Sequence, residues 1–215
     1  MISPEIIVID YGIGNVKSML NALETLGVKP ILTNDRELII NAKGVILPGV
    51  GAFKSGMENL KQHNLIQVIT DYISIDKPFL GVCLGMQMLL DESEEFETTK
   101  GLGFIKGKVT KLEPNHSLGE KLPHVSWNEI KEPSQNRWNG TILEDTEPMS
   151  DVYFVHSYAA RPEMSENILA TAQYGNSEFC AAVYKNRIFG TQFHPEKSGV
   201  VGLKILEKFI ELTKK

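Results

Sequence analysis

The chain has 215 residues with 42% hydrophobic content, which is enough to bury the core of one α/β domain over residues 1–215. Its net charge of −5 and its scattered lysines argue against a nucleic-acid-binding surface. No apolar run reaches the roughly 18 to 20 residues of a membrane-spanning helix, and Met1 is not followed by a secretory signal pattern. We therefore expect a cytoplasmic protein that binds neither nucleic acid nor membrane.

The first fifty residues predict alternating strands and helices. This order is typical of an α/β fold with a doubly wound, mostly parallel sheet, in which sites form at the carboxyl ends of the strands. A dinucleotide site is not expected, because Gly12-x-Gly14 lacks the third glycine of that fingerprint. The predicted elements are a strand over Ile6–Asp10, a helix over Val16–Leu26, a strand over Pro30–Thr33, a helix over Arg36–Ile40 and a strand over Gly44–Leu47.

The strand over Gly44–Leu47 runs into a loop that contains Gly49 and Gly51. Two glycines at the carboxyl end of a strand allow backbone N–H groups to face a ligand, or allow a peptide to rotate between two orientations. A plain connecting loop is the alternative.

Cys83 lies between a predicted buried strand over Pro78–Val82 and a predicted helix over Met86–Leu90. Gly81 and Gly85 stand two residues before and after it, which is the layout of a nucleophile elbow. Free N–H groups at the start of the helix would favour the thiolate. The alternative is a buried cysteine beside packing glycines.

The remaining chain adds an acidic stretch, more strands and a final helix. We predict that Asp91–Glu95 is a solvated helix end and that His156 is a packed histidine rather than a second base. The predicted elements are strands over Gly107–Leu112, Asp151–Tyr158, Ile168–Tyr174 and Phe179–Phe189, the last two forming an antiparallel extension, and an amphipathic helix over Gly199–Leu212.

His194 follows the apolar strand that ends at Phe189, and Glu196 stands two residues further on. A histidine at the end of a strand can act as the base for a cysteine, and a nearby carboxylate can hold its ring in one tautomer. Cys83 and Cys180 lie far apart and suggest neither a disulfide framework nor a zinc site, and Cys180 is predicted to be buried in a strand.

The motif Gly81-Val-Cys-Leu-Gly-x-Gln87, with the later Phe193-His-Pro-Glu196, resembles the class I glutamine amidotransferases. The resemblance implies their flavodoxin-like fold, hydrolysis of L-glutamine and no cofactor or metal. By the same resemblance, the catalytic triad is Cys83, His194 and Glu196. The implied oxyanion hole consists of the Gly49–Val50 peptide and the N–H of Leu84, and the implied substrate-binding residues are Gly51, Gln87, Ser157 and Tyr158.

Four segments narrow the resemblance to the family of glutaminase subunits of imidazole glycerol phosphate synthase, an enzyme of histidine biosynthesis. The segments are Tyr11–Asn15, Pro48–Gly51, Pro123–Asn128 and His194–Ser198. This resemblance implies a heterodimer with a cyclase subunit, to which ammonia passes through a channel. It places Asn15, Trp127 and Lys197 at the partner interface or gate.

Ser126 departs from the family pattern, since members commonly have glycine there, and the loop over Glu132–Ile142, with Trp138, has no role that the family suggests. Three alternatives therefore stay open. The chain could be a paralogous glutaminase subunit that supplies ammonia to a sugar amidotransferase in surface-glycan biosynthesis. It could also be a stand-alone hydrolase with the same triad, or an inactive regulatory subunit. For Trp127, the alternative to an interface residue is a buried aromatic on a strand.

Overall fold

A computed structural model describes residues 5–13, 16–115, 117 and 119–214. Asn15, predicted to lie at the interface, is outside the described residues. The strands are β1 (Ile6–Ile9), β2 (Ile31–Thr33), β3 (Gly44–Leu47), β4 (Phe79–Val82), β5 (Leu90–Ser93), β6 (Thr99–Lys100), β7 (Ile105–Lys111), β8 (His124–Ile130), β9 (Ser150–His156), β10 (Tyr158–Pro162), β11 (Ile168–Tyr174), β12 (Ser177–Lys185) and β13 (Ile188–Thr191). The α-helices are α1 (Val16–Thr25), α2 (Arg36–Asn41), α3 (Phe53–Gln62), α4 (Leu65–Ser74), α5 (Leu84–Gln87) and α6 (Gly199–Leu212).

The main sheet has the order β11-β12-β13-β4-β3-β1-β2 within the described residues. The five strands from β13 to β2 are parallel, whereas β12 is antiparallel to both of its neighbours. This confirms the predicted doubly wound sheet with an antiparallel extension. Strands β1, β3 and β4 are buried at every position, as expected for parallel strands that are covered on both faces.

The core divides into two layers, one on each face of the main sheet. Side chains of β1 alternate between them: Ile6 and Val8 belong to one apolar cluster, and Ile7 and Ile9 to the other. The parallel strands of the sheet are thus packed on both faces.

No described helix is long and apolar enough to cross a membrane.

The register of the parallel strands brings three segments together at one edge of the sheet. Leu47 pairs with Gly81, and Thr191 pairs with Val82. The loop after β3, Cys83 after β4 and the segment after β13 therefore leave the sheet side by side. In the separate hairpin β8–β9, His124 lies opposite His156 and Trp127 opposite Tyr153. His194 donates its backbone N–H to the carbonyl of Tyr153, which attaches the hairpin to the same edge.

Several predicted elements are wrong in their bounds, among them the strand over Asp151–Tyr158, which is divided at Ser157 into β9 and β10. The predicted helix over Met86–Leu90 is the short α5, which begins at Leu84 and ends at Gln87, and Leu90 already starts β5. The reason is long-range, because the chain after α5 turns back to pair with β7. The acidic stretch is consequently a strand and its continuation rather than a solvated helix end, and Ser93 is fully buried.

The predicted strand over Phe179–Phe189 is a hairpin. Asn186 adopts a positive φ of 55°, and Lys185 pairs with Ile188 across the turn between β12 and β13. The chain therefore reverses before it reaches His194, and β13, not β12, is the strand that lies beside β4.

The loop over residues 132–142 has a structural role in the core. Trp138 is only 3% exposed, and its indole N–H donates to the carbonyl of Leu169 at 2.7 Å. Its backbone N–H donates to a carboxylate oxygen of Glu132 at 3.0 Å, which closes the loop on itself. Trp138 thus anchors this loop to β11.

Candidate active site

Cys83 occupies a strained turn between β4 and α5. Its φ of 54° and ψ of −108° lie outside the regions that a residue with a side chain usually adopts. A Cβ atom at Gly81 would lie 2.6 Å from the carbonyl oxygen of Gly85, and one at Gly85 would lie 1.9 Å from the carbonyl oxygen of Leu47. Only glycine fits at either position, so the two glycines allow the crowded turn that presents Cys83.

His194 and Glu196 form a buried pair at the carboxyl end of β13. His194 Nδ1 lies 2.8 Å from Glu196 Oε1, and the side chains are 3% and 6% exposed. The Ser198 hydroxyl donates to the His194 carbonyl at 2.7 Å and accepts the backbone N–H of Tyr153 at 3.0 Å. This serine fixes the turn that carries the pair against β9.

The charge state of His194 depends on its neighbours. Burial lowers the pKa of His194, but hydrogen bonding and charge from Cys83 and Glu196 outweigh it and raise the pKa to about 10. His194 Nε2 has no hydrogen-bond partner of standard geometry among the described residues, although Cys83 is close enough to contribute to this shift. Because Glu196 occupies Nδ1, Nε2 is the nitrogen that remains for Cys83. The pair thus suits a protonated imidazole whose Nε2 is available to Cys83.

A cavity of roughly 420 Å³ opens beside Cys83, within the usual size range of small-molecule sites. Most of the residues predicted for the site line it. They are Val50, Gly51, Cys83, Leu84, Gln87, Ser157, Tyr158 and Lys197.

The loop after β3 is in a conformation that leaves the expected oxyanion hole incomplete. The Leu84 N–H donates to the carbonyl of Gly49 at 3.3 Å, so the oxygen of the Gly49–Val50 peptide is directed towards this N–H. A Cβ atom at Gly49 would lie 2.4 Å from the hydroxyl oxygen of Tyr11, which donates to the Pro48 carbonyl at 2.7 Å. Both proposed donors could face one oxyanion only after this peptide rotates.

Sequence reasoning missed Gln192, which lies between β13 and His194. Its amide nitrogen lies 3.7 Å from the Cys83 sulfur, and its amide oxygen accepts a hydrogen bond from Gln87 at 3.0 Å. Gln87 also donates to the Tyr158 carbonyl at 2.9 Å. Gln192 is fully buried, and a buried amide needs partners, but its burial follows from long-range strand pairing and has no local signal in the sequence.

Glu95 was also missed. It lines the cavity, and its Oε2 accepts the backbone N–H of Phe53 at 2.6 Å. The sequence places it in an acidic stretch that reads as solvated, and only the strand β5 brings it back to the cavity. A carboxylate in this wall can bind an ammonium group of a ligand.

The two described residues predicted for the interface lie together next to the cavity. Trp127 is 53% exposed, so the alternative of a buried aromatic is wrong. Its ring packs edge-on against Tyr153 with the centroids 6.1 Å apart, and Lys197 Nζ lies 5.8 Å from the centre of the same tyrosine ring. Val125, on the same strand, is 51% exposed. This gives an exposed, largely apolar surface at the edge of the candidate active site.

No group of three or more histidine, cysteine, aspartate or glutamate side chains within the described part of the chain is arranged to hold a metal ion. Cys180 is buried, as predicted, and burial raises the pKa of its thiol to about 12, so it is unsuited to act as a nucleophile.

The sequence matches known proteins along almost its whole length. The profile of the family described as glutamine amidotransferase class-I matches residues 7–212. The chain is 46% identical over 207 residues to the imidazole glycerol phosphate synthase subunit HisH 2 of Methanococcus maripaludis, covering 96% of this chain and 98% of that protein. It is 44% identical over 206 residues to the subunit HisH of Bacillus cereus, covering 95% and 93%.

Solved structures show the same fold at low sequence identity. A crystal structure of a glutamine amidotransferase superposes with a TM-score of 0.72 at 16% identity and covers 97% of this chain and 99% of its own. The structure of PurLQS from Thermotoga maritima also gives a TM-score of 0.72, at 19% identity, covering 98% and 99%.

Proposed function

Because the chain belongs to the class-I glutamine amidotransferase family, we propose that it is the glutaminase subunit of an imidazole glycerol phosphate synthase. In this role residues 1–215 form one domain that hydrolyses L-glutamine to glutamate and ammonia for histidine biosynthesis in the cytoplasm. The observation that carries the proposal is the identity of 40–46% to curated subunits of that synthase over nearly the full length of the chain.

In the first half of the reaction, the Cys83 thiolate attacks the side-chain amide carbon of glutamine and forms a tetrahedral oxyanion. As this intermediate collapses, the C–N bond breaks and His194 Nε2 gives its proton to the departing nitrogen. Ammonia leaves, and the glutamyl group remains on Cys83 as a thioester. The raised pKa of His194 supports this role, because the imidazole is then protonated at neutral pH.

In the second half, His194 takes a proton from a water molecule while the oxygen attacks the thioester carbon. The C–S bond breaks, glutamate leaves and the thiolate beside a protonated His194 is restored. Glu196 keeps Nδ1 occupied through the 2.8 Å hydrogen bond, so Nε2 is the nitrogen that exchanges the proton in both halves.

The cavity supports glutamine as the substrate. Cys83 and Glu95 both line it, so Cys83 would react with the side-chain amide while Glu95 pairs with the α-ammonium group. Gly51, Gln87, Ser157 and Tyr158 would contact the rest of the amino acid.

We also propose that the partner is the cyclase subunit and that it docks on the surface formed by Val125, Trp127, Tyr153 and Lys197. The exposed apolar side chains of this surface lie next to the cavity, so a tight interface there would keep ammonia away from bulk water. The surface would then be the start of the channel.

Rotation of the Gly49–Val50 peptide would switch the site on. With the Gly49 carbonyl on the Leu84 N–H, the oxyanion would lack donors, and one missing donor costs on the order of 3 kcal/mol in the transition state. If the active orientation is a 1:99 minority in the free subunit, the loaded partner must supply about 5.5 kcal/mol to reverse that ratio. Low activity of the free subunit follows.

The test is glutamate release from L-glutamine by the purified chain, alone and with the histidine-pathway cyclase carrying its phosphoribosyl ligand, with Cys83→Ser as the control. Strong stimulation by the loaded cyclase, abolished in Cys83→Ser, is expected. Brisk activity without a partner would instead indicate a stand-alone hydrolase. No stimulation of a nearly silent chain would refute the assignment to this synthase and favour a glycan-pathway partner.

A further inference from the structure

His124 and His156 are buried next to the candidate site, yet the proposed mechanism does not use them. They lie opposite each other on β8 and β9 and are 1% and 6% exposed. His124 Nδ1 lies 3.2 Å from His156 Nε2, so the two rings share one hydrogen bond. The ring of His124 also stacks on Tyr174, with the centroids 4.0 Å apart, which fixes its plane.

The direction of each hydrogen bond follows from the partners. His156 Nδ1 lies 2.9 Å from the carbonyl oxygen of Tyr158, which only accepts, so Nδ1 carries the proton. Burial is the main cause that lowers the pKa of His156, to about 3, so its Nε2 keeps a lone pair and accepts from His124 Nδ1. Burial likewise lowers the pKa of His124, to about 4, so its Nε2 accepts from the Ser126 hydroxyl at 2.8 Å. Every donor therefore points the same way.

This relay, defined as Ser126, His124 and His156, continues to the nucleophile. The Tyr158 carbonyl that ends it also accepts from Gln87, and Gln87 donates to Gln192, whose amide nitrogen reaches the Cys83 sulfur. At its other end, Ser126 is exposed, and its side chain lies on the same face of β8 as His124, opposite the face that carries Trp127. A continuous set of polar contacts thus connects the exposed Ser126 with Cys83.

The charged groups outside the relay that act on its two histidines come from the segments before β8 and after β13. Glu120, from the segment before β8, acts on His124 and raises its pKa, whereas His194 acts on His156 and lowers its pKa. Neither outweighs burial, which leaves both rings neutral at neutral pH.

We propose that Ser126, His124 and His156 are positioning residues, whose one-way hydrogen bonds hold the Tyr158 carbonyl, and through it Gln87 and Gln192, in the orientation that Cys83 needs. The effect on turnover rests on the proposed glutaminase function, whereas the bond directions do not. A contact that displaces Ser126 would change the polar surroundings of the nucleophile without touching it.

The bond directions are tested by long-range ¹⁵N–¹H correlation NMR on the full chain labelled at histidine. Both His124 and His156 should be neutral at pH 7 with the proton on Nδ1, which is the less common tautomer of free histidine. Ser126→Ala should shift the Nε2 resonance of His124, and Ser126→Thr, which keeps the hydroxyl, should leave it in place. A proton on Nε2 of either ring would overturn the relay.

Its effect on the reaction is tested by the kcat and KM for glutamine of the loaded synthase complex. His124→Phe keeps the aromatic stacking but removes the hydrogen bond. We expect kcat to fall roughly tenfold or more and KM to rise by a smaller factor, because Gln87 and Tyr158 also contact glutamine in the proposed site. The matched control is the exposed His63→Phe. Ser126→Ala should lower kcat by a smaller factor that Ser126→Thr restores.

Equal kcat values for the wild type, His124→Phe and Ser126→Ala would overturn the positioning role even with the expected tautomers. A wild-type complex that releases no glutamate would refute the proposed function and the kinetic half of this inference. In that case the NMR experiment would still decide whether the bond directions are right.

Discussion

At the scale of single residues, the candidate nucleophile Cys83 has a strained backbone conformation. A non-glycine residue in such a conformation costs about 1–3 kcal/mol, and Cys83 bears this cost between two glycines that the turn requires. The consequence is that the Cys83 side chain lines the cavity at the end of the sheet, although it is buried, beside a histidine that its neighbours keep protonated. The fold therefore loses some free energy of unfolding at Cys83, the residue that the proposed reaction needs in this position.

This strain predicts an unusual order of stability among variants of Cys83. Cys83→Gly should be more stable than Cys83→Ala by roughly 1 kcal/mol, because glycine tolerates positive φ and this gain exceeds its larger unfolded-state entropy. Urea unfolding at pH 7 measures the difference. The matched control is Ala22 in α1, where the Ala→Gly change should destabilise by about 1 kcal/mol.

If Cys83→Gly were the less stable of the two variants at that position, the backbone around Cys83 would not be strained. Both variants should release no glutamate, since neither has a nucleophile, and both should retain the far-ultraviolet circular dichroism of the wild type.

At the scale of elements, the pattern of apolar residues predicts what local sequence controls. The fully buried strands β3 and β4 and the helix α6 have the predicted bounds to within one residue. The helix α3 has Phe53, Met57 and Leu60 buried at helical spacing, a signal that was present and not used. The sequence gives no such signal for the bounds of α5. A helix of four residues is too short to show apolar residues repeating at helical spacing.

The anchor of the loop over residues 132–142 gives a prediction at this scale. Trp138→Phe should lower the free energy of unfolding by about 1–3 kcal/mol, because the buried Leu169 carbonyl loses its donor. Trp138→Ala should cost about 3–5 kcal/mol through the additional cavity. Urea unfolding with circular dichroism detection measures both.

The other tryptophan is the matched control, because Trp127 is 53% exposed. Trp127→Phe should change the free energy of unfolding by less than about 0.5 kcal/mol. Equal costs at the two positions would contradict the role of Trp138 as an anchor.

At the scale of the whole molecule, the site is assembled from segments that are remote in sequence. The order of strands in the sheet brings Cys83 beside His194, and both could be proposed from motifs because each motif is local. Glu95 and Gln192 could not, because their place depends on how β5 returns to β7 and how the β12–β13 hairpin reverses. The two site residues that the sequence did not indicate are therefore those whose positions depend on long-range strand pairing.

The histidine pair makes the stability of the whole fold depend on pH. His124 and His156 have pKa values lowered to about 4 and about 3 by burial, against about 6.5 in the unfolded chain. The unfolded state therefore binds more protons below pH 6.5, so this contribution to stability is complete above pH 6.5 and is lost as the pH falls towards 4 and 3.

We expect each of these two histidines to lower the free energy of unfolding by about 2 kcal/mol between pH 7 and pH 5. Guanidinium titrations at the two pH values measure the loss, and other groups contribute to it as well. His124→Phe isolates the contribution of His124, because it removes one titrating ring. The variant should lose about 2 kcal/mol less free energy of unfolding between pH 7 and pH 5 than the wild type, whatever its stability at pH 7. The exposed His63→Phe is the matched control for the exchange of a histidine for a phenylalanine. An equal loss in wild type and His124→Phe would mean that burial does not lower the pKa of His124, and the ring would then not stay neutral in the folded protein at pH 5.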